Sequence, residues 1–200
     1  APTLTAVGFK ESSIAGGSQT IPTSVSWQSG DVVVVIAGTE GNGTETWSAP
    51  TTTGSGLTFT QQQLHASSSN CGGACYAGVA TAASSGTVSI ANPRSTGTSH
   101  VALAVYVFHG SAGIGNSNIS VGSGRTVSLT PTGADGSIVW GVFNWAAASV
   151  QSATPTATTH STSSPGPQAS PDSALVNPSY TYYIEELDDQ TSAGAVSYGI

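Results

Sequence analysis

The chain has 200 residues, of which only 6% are charged, and its net charge of −7 comes from ten acidic residues against three basic ones. This balance has the wrong sign for the phosphate backbone of nucleic acids, and three scattered cations form no basic groove, so nucleic-acid binding is not expected. No apolar segment approaches the roughly 20 residues that a membrane-spanning helix requires, so membrane insertion is not expected either.

Short strands separated by turn residues are predicted along the whole chain. Each is rich in Val, Ile, Thr or aromatic residues and is bounded by Gly, Pro, Asn or Ser. They cover residues 3–10, 21–27, 31–38, 57–65, 75–82, 86–91, 99–109, 125–130, 136–146, 179–187 and 193–199. No stretch combines a 3.6-residue apolar period with a capping box, so helix should be scarce. The pattern predicts an all-β fold, an antiparallel β-sandwich of jelly-roll type, with one domain over residues 1–200.

The strand at 31–38 contains the longest β-branched run of the chain, "VVVVI" at 32–36, directly after a Gly-Asp turn. Such a run normally needs cover on both of its faces. The second sheet of a sandwich covers one alternating set of these side chains. The other set is expected to lie under residues 151–178 or against a neighbouring subunit.

Trp47 lies in "GNGTETWSAP", a polar loop between two predicted strands, and is the tryptophan expected to be most exposed. Exposed aromatic rings stack on sugars in carbohydrate-binding modules, so Trp47 is the candidate ligand-binding residue. Trp27 and Trp140 alternate with apolar neighbours in predicted strands and are expected to pack in the core or on a sheet.

Cys71 and Cys75 enclose "CGGAC", which is expected to form a tight loop because glycines permit a sharp reversal. A disulfide is sterically allowed there if the two Cβ atoms come within about 4.5 Å, and two unbridged thiols are the equal alternative. The loop offers too few ligands for a metal ion. A bridge would favour an extracellular or virion setting.

His100 and His109 flank the apolar strand "VALAVYVF". Their odd spacing places them on opposite faces of a regular strand, so they are not expected to share a metal ion. Solvated or hydrogen-bonded structural roles are expected for both, and no catalytic residue is assigned.

Residues 151–178 are poor in hydrophobic residues and rich in Pro, Ser and Thr. Long segments of this composition are functional loops or linkers. An extended surface loop is predicted, because strand-forming residues resume at Tyr180.

An acidic cluster, "EELDD", stands near the C-terminus. The plain interpretation is a solvated strand end and turn. The alternative is a Ca²⁺ site built from Glu185, Asp188 and Asp189, because hard oxygen ligands suit that ion. A glycosidase pair of carboxylates facing each other across a cleft is the least favoured interpretation. No cofactor is expected.

Six stretches, taken in order, carry a family resemblance. They are "SWQSGDVVVVIAG", "SAPTTTGSGLTF", "CYAGVAT", "VALAVYVFHGSAGIGNS", "GSIVWGVFNW" and "YYIEELDDQTSAGAVSYGI", together spanning roughly residues 20–200. They resemble a β-sandwich family found in virion proteins of tailed phages, of the capsid-decoration and minor-tail type, and in some bacterial surface proteins. Where that family often has Trp after the loop glycine, this chain has Leu57 after Gly56.

The resemblance implies a structural virion protein that assembles non-covalently with capsid or tail proteins and with copies of itself. The 58 Ser and Thr residues fit this role, because contacts between hydroxyls depend little on ionisation. The alternative is a glycan-binding or adhesion module of a phage fibre or a secreted bacterial protein, with Trp47 or residues 151–178 contacting a host-surface glycan. An enzyme is not expected.

Overall fold

The computed structural model describes residues 3–40, 45–65, 71–94, 97–122, 126–129, 136–144, 152–154, 180–188 and 196–199. All regular structure in these residues is β-strand, which confirms the prediction of an all-β chain for this part. No helix among them has the length and apolarity to cross a bilayer. The strands are β1 (Thr3–Ile14), β2 (Ser18–Thr20), β3 (Val25–Trp27), β4 (Val32–Glu40), β5 (Thr51–Thr52), β6 (Thr60–His65), β7 (Cys71–Val79), β8 (Ser84–Gly86), β9 (Val88–Ala91), β10 (Ser99–His109), β11 (Gly113–Gly122), β12 (Thr126–Leu129), β13 (Gly136–Asn144), β14 (Ser152–Thr154), β15 (Tyr180–Asp188) and β16 (Val196–Gly199).

The described strands pair antiparallel throughout. The largest sheet has five strands in the order β1-β10-β4-β7-β6. Three smaller sheets have the orders β11-β15-β13, β12-β16-β14 and β2-β9-β5, and β3 pairs with β8. Strand β4 is therefore the central strand of the largest sheet, as its apolar run predicts.

Four of the strands fall where none was predicted, namely the short strands β2 and β5 and the strands β11 and β14. β11 has the sequence "GIGNSNISVG", which is rich in residues that disfavour strands, yet it pairs with β15 over most of its length. β14 falls inside the segment predicted as an extended loop, and residues 155–178 of that segment lie outside the described residues. Pairing with neighbouring strands outweighs the weak local preference of these residues.

Each face of the five-stranded sheet carries its own buried apolar cluster. The first core packs against the short strands β2, β3 and β9 and consists of Ile21, Val25, Trp27, Val33, Val35, Ala37, Phe59, Ala74, Tyr76, Ala80, Val88, Ile90, Val101, Leu103, Val105 and Val107. The second core lies on the opposite face and consists of Val32, Val34, Ile36, Cys75, Ala77, Ala102, Ala104, Tyr106 and Phe108.

Both alternating sets of the run at 32–36 are buried, with at most 1% of any side chain exposed. Strands β11 and β15 approach β7, β13 approaches β4, and Ile114 of β11 packs against the second core. The side-chain amide of Gln63 also donates to Ser117, at 2.8 Å to Oγ and 3.1 Å to the carbonyl oxygen. Burial is complete within one chain, so the expectation that a neighbouring subunit covers this face is wrong. Cover by residues 151–178 stays a prediction, because all of that segment except 152–154 lies outside the described residues.

Candidate functional site

A buried carboxylate closes the turn between β3 and β4. The backbone N–H of Asp31 donates to the carbonyl oxygen of Gln28 at 3.1 Å, and Gly30 has a φ of 91°. This positive φ is easily adopted only by glycine. The Oδ2 atom of Asp31 accepts the backbone N–H of Gln28 at 2.8 Å, so the side chain caps its own turn.

The same carboxylate holds His109. Val32 faces Phe108 in the β4–β10 ladder, so Asp31 and His109 stand at the next position along the two strands. The Nδ1 atom of His109 lies 2.6 Å from the Oδ1 atom of Asp31. The histidine side chain is 62% exposed, whereas that of the aspartate is 4% exposed. The expectation of a hydrogen-bonded structural histidine is confirmed for His109.

An aspartate and the histidine that it orients are also two of the three members of a catalytic triad. In the described part of the chain, however, no hydroxyl or thiol hydrogen-bonds to the ring of His109. What the pair does there is to fasten the β3–β4 turn to the end of β10. Sequence reasoning missed the pair, although Asp31 directly precedes one apolar run and His109 directly follows another.

A second buried carboxylate fastens the segment after β4. The Glu45 side chain is fully buried, and its Oε1 atom lies 3.7 Å from the Nε atom of Arg94. Arg94 also donates through Nη1 to the carbonyl oxygen of Thr98 at 2.6 Å, and its backbone N–H donates to the side chain of Asn92 at 3.0 Å. The group therefore links the loop before β5 to the loop before β10.

The structure corrects the expected exposure of Trp47. The residue is half-buried and packs against the first core, and its indole Nε1 atom is buried without a hydrogen-bond partner. Its role in ligand binding stays a prediction.

For Trp27, the expected core position is confirmed, because the residue is 1% exposed and its indole N–H donates to the carbonyl oxygen of Ser55 at 3.2 Å.

The prediction of a tight loop around the two cysteines is wrong. Both Cys71 and Cys75 belong to the continuous strand β7, and Cys75 is buried in the second core. Positions four residues apart in a strand are separated by about 13 Å, whereas a disulfide needs Cα atoms within about 7 Å. A bridge between these two residues would require β7 to give up its extended geometry.

Two of the acidic residues proposed for Ca²⁺, Glu185 and Asp188, lie in the last part of β15. The backbone of β15 pairs Glu185 with Ser117 and Asp188 with Gly113, while Asp189 and the side chains of all three acids lie outside the described residues. Within the described residues, no group of three His, Cys, Asp or Glu side chains could hold a metal ion. The Ca²⁺ site stays a prediction.

Two buried tyrosines carry hydroxyls without a hydrogen-bond partner, which sequence reasoning did not anticipate. Tyr106 lies in the second core and Tyr76 in the first, with 3% and 2% of their surfaces exposed. Burial raises the pKa of Tyr106 far above its ordinary value of 10.0. Burial, and secondarily the neighbouring Cys75, also raises the pKa of Tyr76. A buried hydroxyl without a partner costs free energy of folding.

The outer face of the β2-β9-β5 sheet carries rows of hydroxyls. Ser89 of β9 faces Thr20 on one side and Thr51 on the other, and the Oγ atoms of Thr20 and Ser89 lie 2.7 Å apart. Nearby, the hydroxyl oxygens of Thr53 and Thr87 lie 3.4 Å apart. Side chains on this face therefore hydrogen-bond to each other without using charge.

Compared with protein-family models, with curated proteins and with solved structures, the chain matches none of them.

Proposed function

We propose that the chain is a non-catalytic structural protein, a virion component of tailed-phage type that assembles non-covalently with capsid or tail proteins. The observation that carries this proposal is the use of the two described buried carboxylates. Asp31 fastens a turn to the end of a strand, and Glu45 fastens one loop to another through Arg94. Both acids are engaged in holding the scaffold together, which is the chemistry of a rigid module.

The uncharged hydroxyl surface supports the same proposal. Thr20, Ser89 and Thr51 face each other on the outer side of a sheet, and the hydroxyls of Thr20 and Ser89 share a hydrogen bond that does not depend on ionisation. Contacts through such a face change little with salt concentration. A particle that persists outside cells, in varying salt and pH, gains from this property.

The jelly-roll sandwich implied by the resemblance is part of the proposal. Two buried cores on opposite faces of one antiparallel sheet support layered β packing. Between the two classes of function, the placement of Trp47 favours the structural one, because a sugar-stacking platform needs an exposed ring and this ring packs on the first core.

The proposal is tested on particles released from the organism that encodes the chain. Antibodies against the chain should label tailed particles in negative-stain electron microscopy, and mass spectrometry of gradient-purified particles should detect it at many copies per particle. Preimmune serum is the control for labelling. If the chain is absent from purified particles but secreted into the medium, the virion assignment is wrong and the adhesion module replaces it.

A further inference from the structure

We propose that strand β1 pairs antiparallel with β1 of a second copy of this chain, which joins two five-stranded sheets into one sheet of ten strands. The inference names a partner for the assembly described above, and in that sense it rests on the proposed function. Its physical basis is independent of that function, because it rests on the unpaired backbone groups and apolar side chains at the β1 edge of the largest sheet.

β1 stands at one end of the order β1-β10-β4-β7-β6 and pairs with β10 from Thr3 to Ile14. On its other side, the described part of the chain provides no paired strand. An edge of twelve residues therefore presents backbone N–H and C=O groups that another strand can bind. Backbone pairing of this kind is how sheets extend across subunits.

An apolar strip borders this edge. Leu4 and Phe9 pack against the second core but are only partly buried, and Val7 is 39% exposed. Val7 and Phe9 are two residues apart in the strand and therefore lie on the same face of the sheet. A strand added at this edge would cover all three side chains.

Two features that protect edges limit where a partner strand can pair. The β1–β10 ladder has an irregularity between Leu4 and Ala6, and the charged pair Lys10 and Glu11 follows Phe9. Bulges and charged residues both discourage pairing at a sheet edge. The segment between them, "AVGF" at 6–9, carries no charge and no proline.

The occupant that fits this segment best is the same segment of a second copy, related by a two-fold axis. In an antiparallel pair, facing residues must both turn their hydrogen-bonding groups toward each other, so the axis passes through a residue position and not between two. With the axis at Gly8, Val7 faces Phe9 of the second copy, and Ala6 faces Lys10 of the second copy. A β-branched residue facing an aromatic ring is a favourable cross-strand pair.

The neighbouring registers are poorer. An axis at Val7 would place Thr5, in the irregular part of the ladder, opposite Phe9 of the second copy. An axis at Phe9 would place Val7 opposite Glu11, and an axis at Lys10 would place two lysines opposite each other, which is unfavourable. The geometry points to the register centred on Gly8.

The experiment compares the purified wild-type chain with Val7→Lys in sedimentation equilibrium. The wild type should be dimeric at micromolar concentrations. Val7→Lys should raise the dimer dissociation constant by about tenfold or more, because it brings the lysines at position 7 of the two copies close together where the β1 strands pair. The matched control is Leu64→Lys, since Leu64 is 38% exposed on β6 at the opposite edge of the same sheet. This control should remain dimeric, and circular dichroism should show that both variants are folded.

A mixing experiment identifies the partner as a second copy. Val7→Lys and Val7→Glu should each be monomeric alone and should form a heterodimer when mixed. The residues at position 7 of the two copies are diagonal neighbours across the β1–β1 contact, so like charges there repel and opposite charges attract. A wild type that is monomeric throughout, or a dimer that Leu64→Lys dissociates and Val7→Lys does not, would overturn the proposal. The two proposals can fail separately. If the chain dimerises through β1 but is absent from particles, the β1–β1 contact is right and only the virion role is wrong.

Discussion

The Oδ1 atom of Asp31 lies 2.6 Å from the Nδ1 atom of His109, at the point where β4 begins and β10 ends. The carboxylate is almost completely buried, and the imidazole that contacts it is largely exposed. The carboxylate also accepts the backbone N–H of Gln28. One side chain therefore stabilises a turn and holds that turn against the neighbouring strand.

Two substitutions of Asp31 should separate the contributions of its turn cap and of its contact with His109 to the stability of the fold. Asp31→Ala removes both the turn cap and the contact with His109, and we expect it to lower the free energy of unfolding by about 2 kcal/mol. Asp31→Asn retains an oxygen that can accept the Gln28 N–H, so its cost should be smaller. Urea unfolding at neutral pH measures both. The control is Ser29→Ala, because Ser29 is an exposed residue of the same turn. An equal effect of Ser29→Ala and Asp31→Ala would contradict the assignment.

Removing a hydroxyl that has no partner should stabilise the second core. Tyr106→Phe keeps the ring, which stacks against Phe108 with centroids 6.5 Å apart, and deletes the buried oxygen. We expect the free energy of unfolding to rise by up to about 1 kcal/mol. Thermal or urea unfolding measures the change, with Tyr76→Phe as a parallel test in the first core. A loss of stability in both variants would show that these hydroxyls have partners in solution.

The same tyrosine makes stability fall at alkaline pH. Burial raises the pKa of Tyr106 above its ordinary value of 10.0, so the unfolded chain loses this proton at a lower pH than the folded chain does. The folded state then holds the extra proton, and stability declines as pH rises above 10, by about 1.4 kcal/mol per pH unit for one such group. Urea unfolding at pH 9 to 11 should show a steeper decline for wild type than for Tyr106→Phe. Parallel curves would contradict the prediction.

Trp47 should behave as a packing residue. Its ring contacts the first core, so Trp47→Ala should lower the free energy of unfolding by about 2 kcal/mol, less than for a fully buried tryptophan. Trp47→Phe should cost less, because it deletes the indole N–H that has no partner. Unfolding is measured beside binding of soluble polysaccharides. If Trp47→Ala keeps full stability and abolishes polysaccharide binding, the glycan-binding alternative is right.

Gly78 in β7 should tolerate no side chain. A Cβ atom at this position would overlap the backbone carbonyl oxygen of Thr58 and would lie 3.1 Å from the Cδ1 atom of Leu57. Because a backbone atom cannot rotate away, Gly78→Ala should cost about 1–3 kcal/mol. The control is Val79→Ala at the next position, whose side chain is 43% exposed, with an expected cost of about 0.5 kcal/mol or less. Equal unfolding midpoints for the two variants would contradict the close packing.

Much of the strand content follows from local pattern. The run at 32–36 is β-branched and bounded by a Gly-Asp turn, and it forms the central strand of the largest sheet. Likewise "VALAVYVF" forms the middle of β10. β11 was not predicted, because its glycines and asparagines are weak strand formers and its pairing with β15 joins residues far apart in the chain.

The placement of some candidate site residues also follows from local pattern, whereas that of others depends on tertiary packing. Trp27 was expected in the core from the alternation of its neighbours, and this holds. Trp47 stands in a polar segment, where local pattern indicates exposure, and only the packing of that segment on the first core buries the indole nitrogen. The glycines beside Cys71 indicate a turn locally, but pairing with β4 and β6 extends that segment as a strand.

The sequence by itself determined that the described part of the chain is all-β and that the chain is almost uncharged and rich in hydroxyls, because strand periodicity and composition are local properties. Only the tertiary structure decided what covers the two faces of β4, and that Asp31 meets His109. Both depend on sheet order and register, which bring together residues 78 positions apart. Register is set by the sum of many pairings across the sheet and cannot be read from any one stretch of the chain.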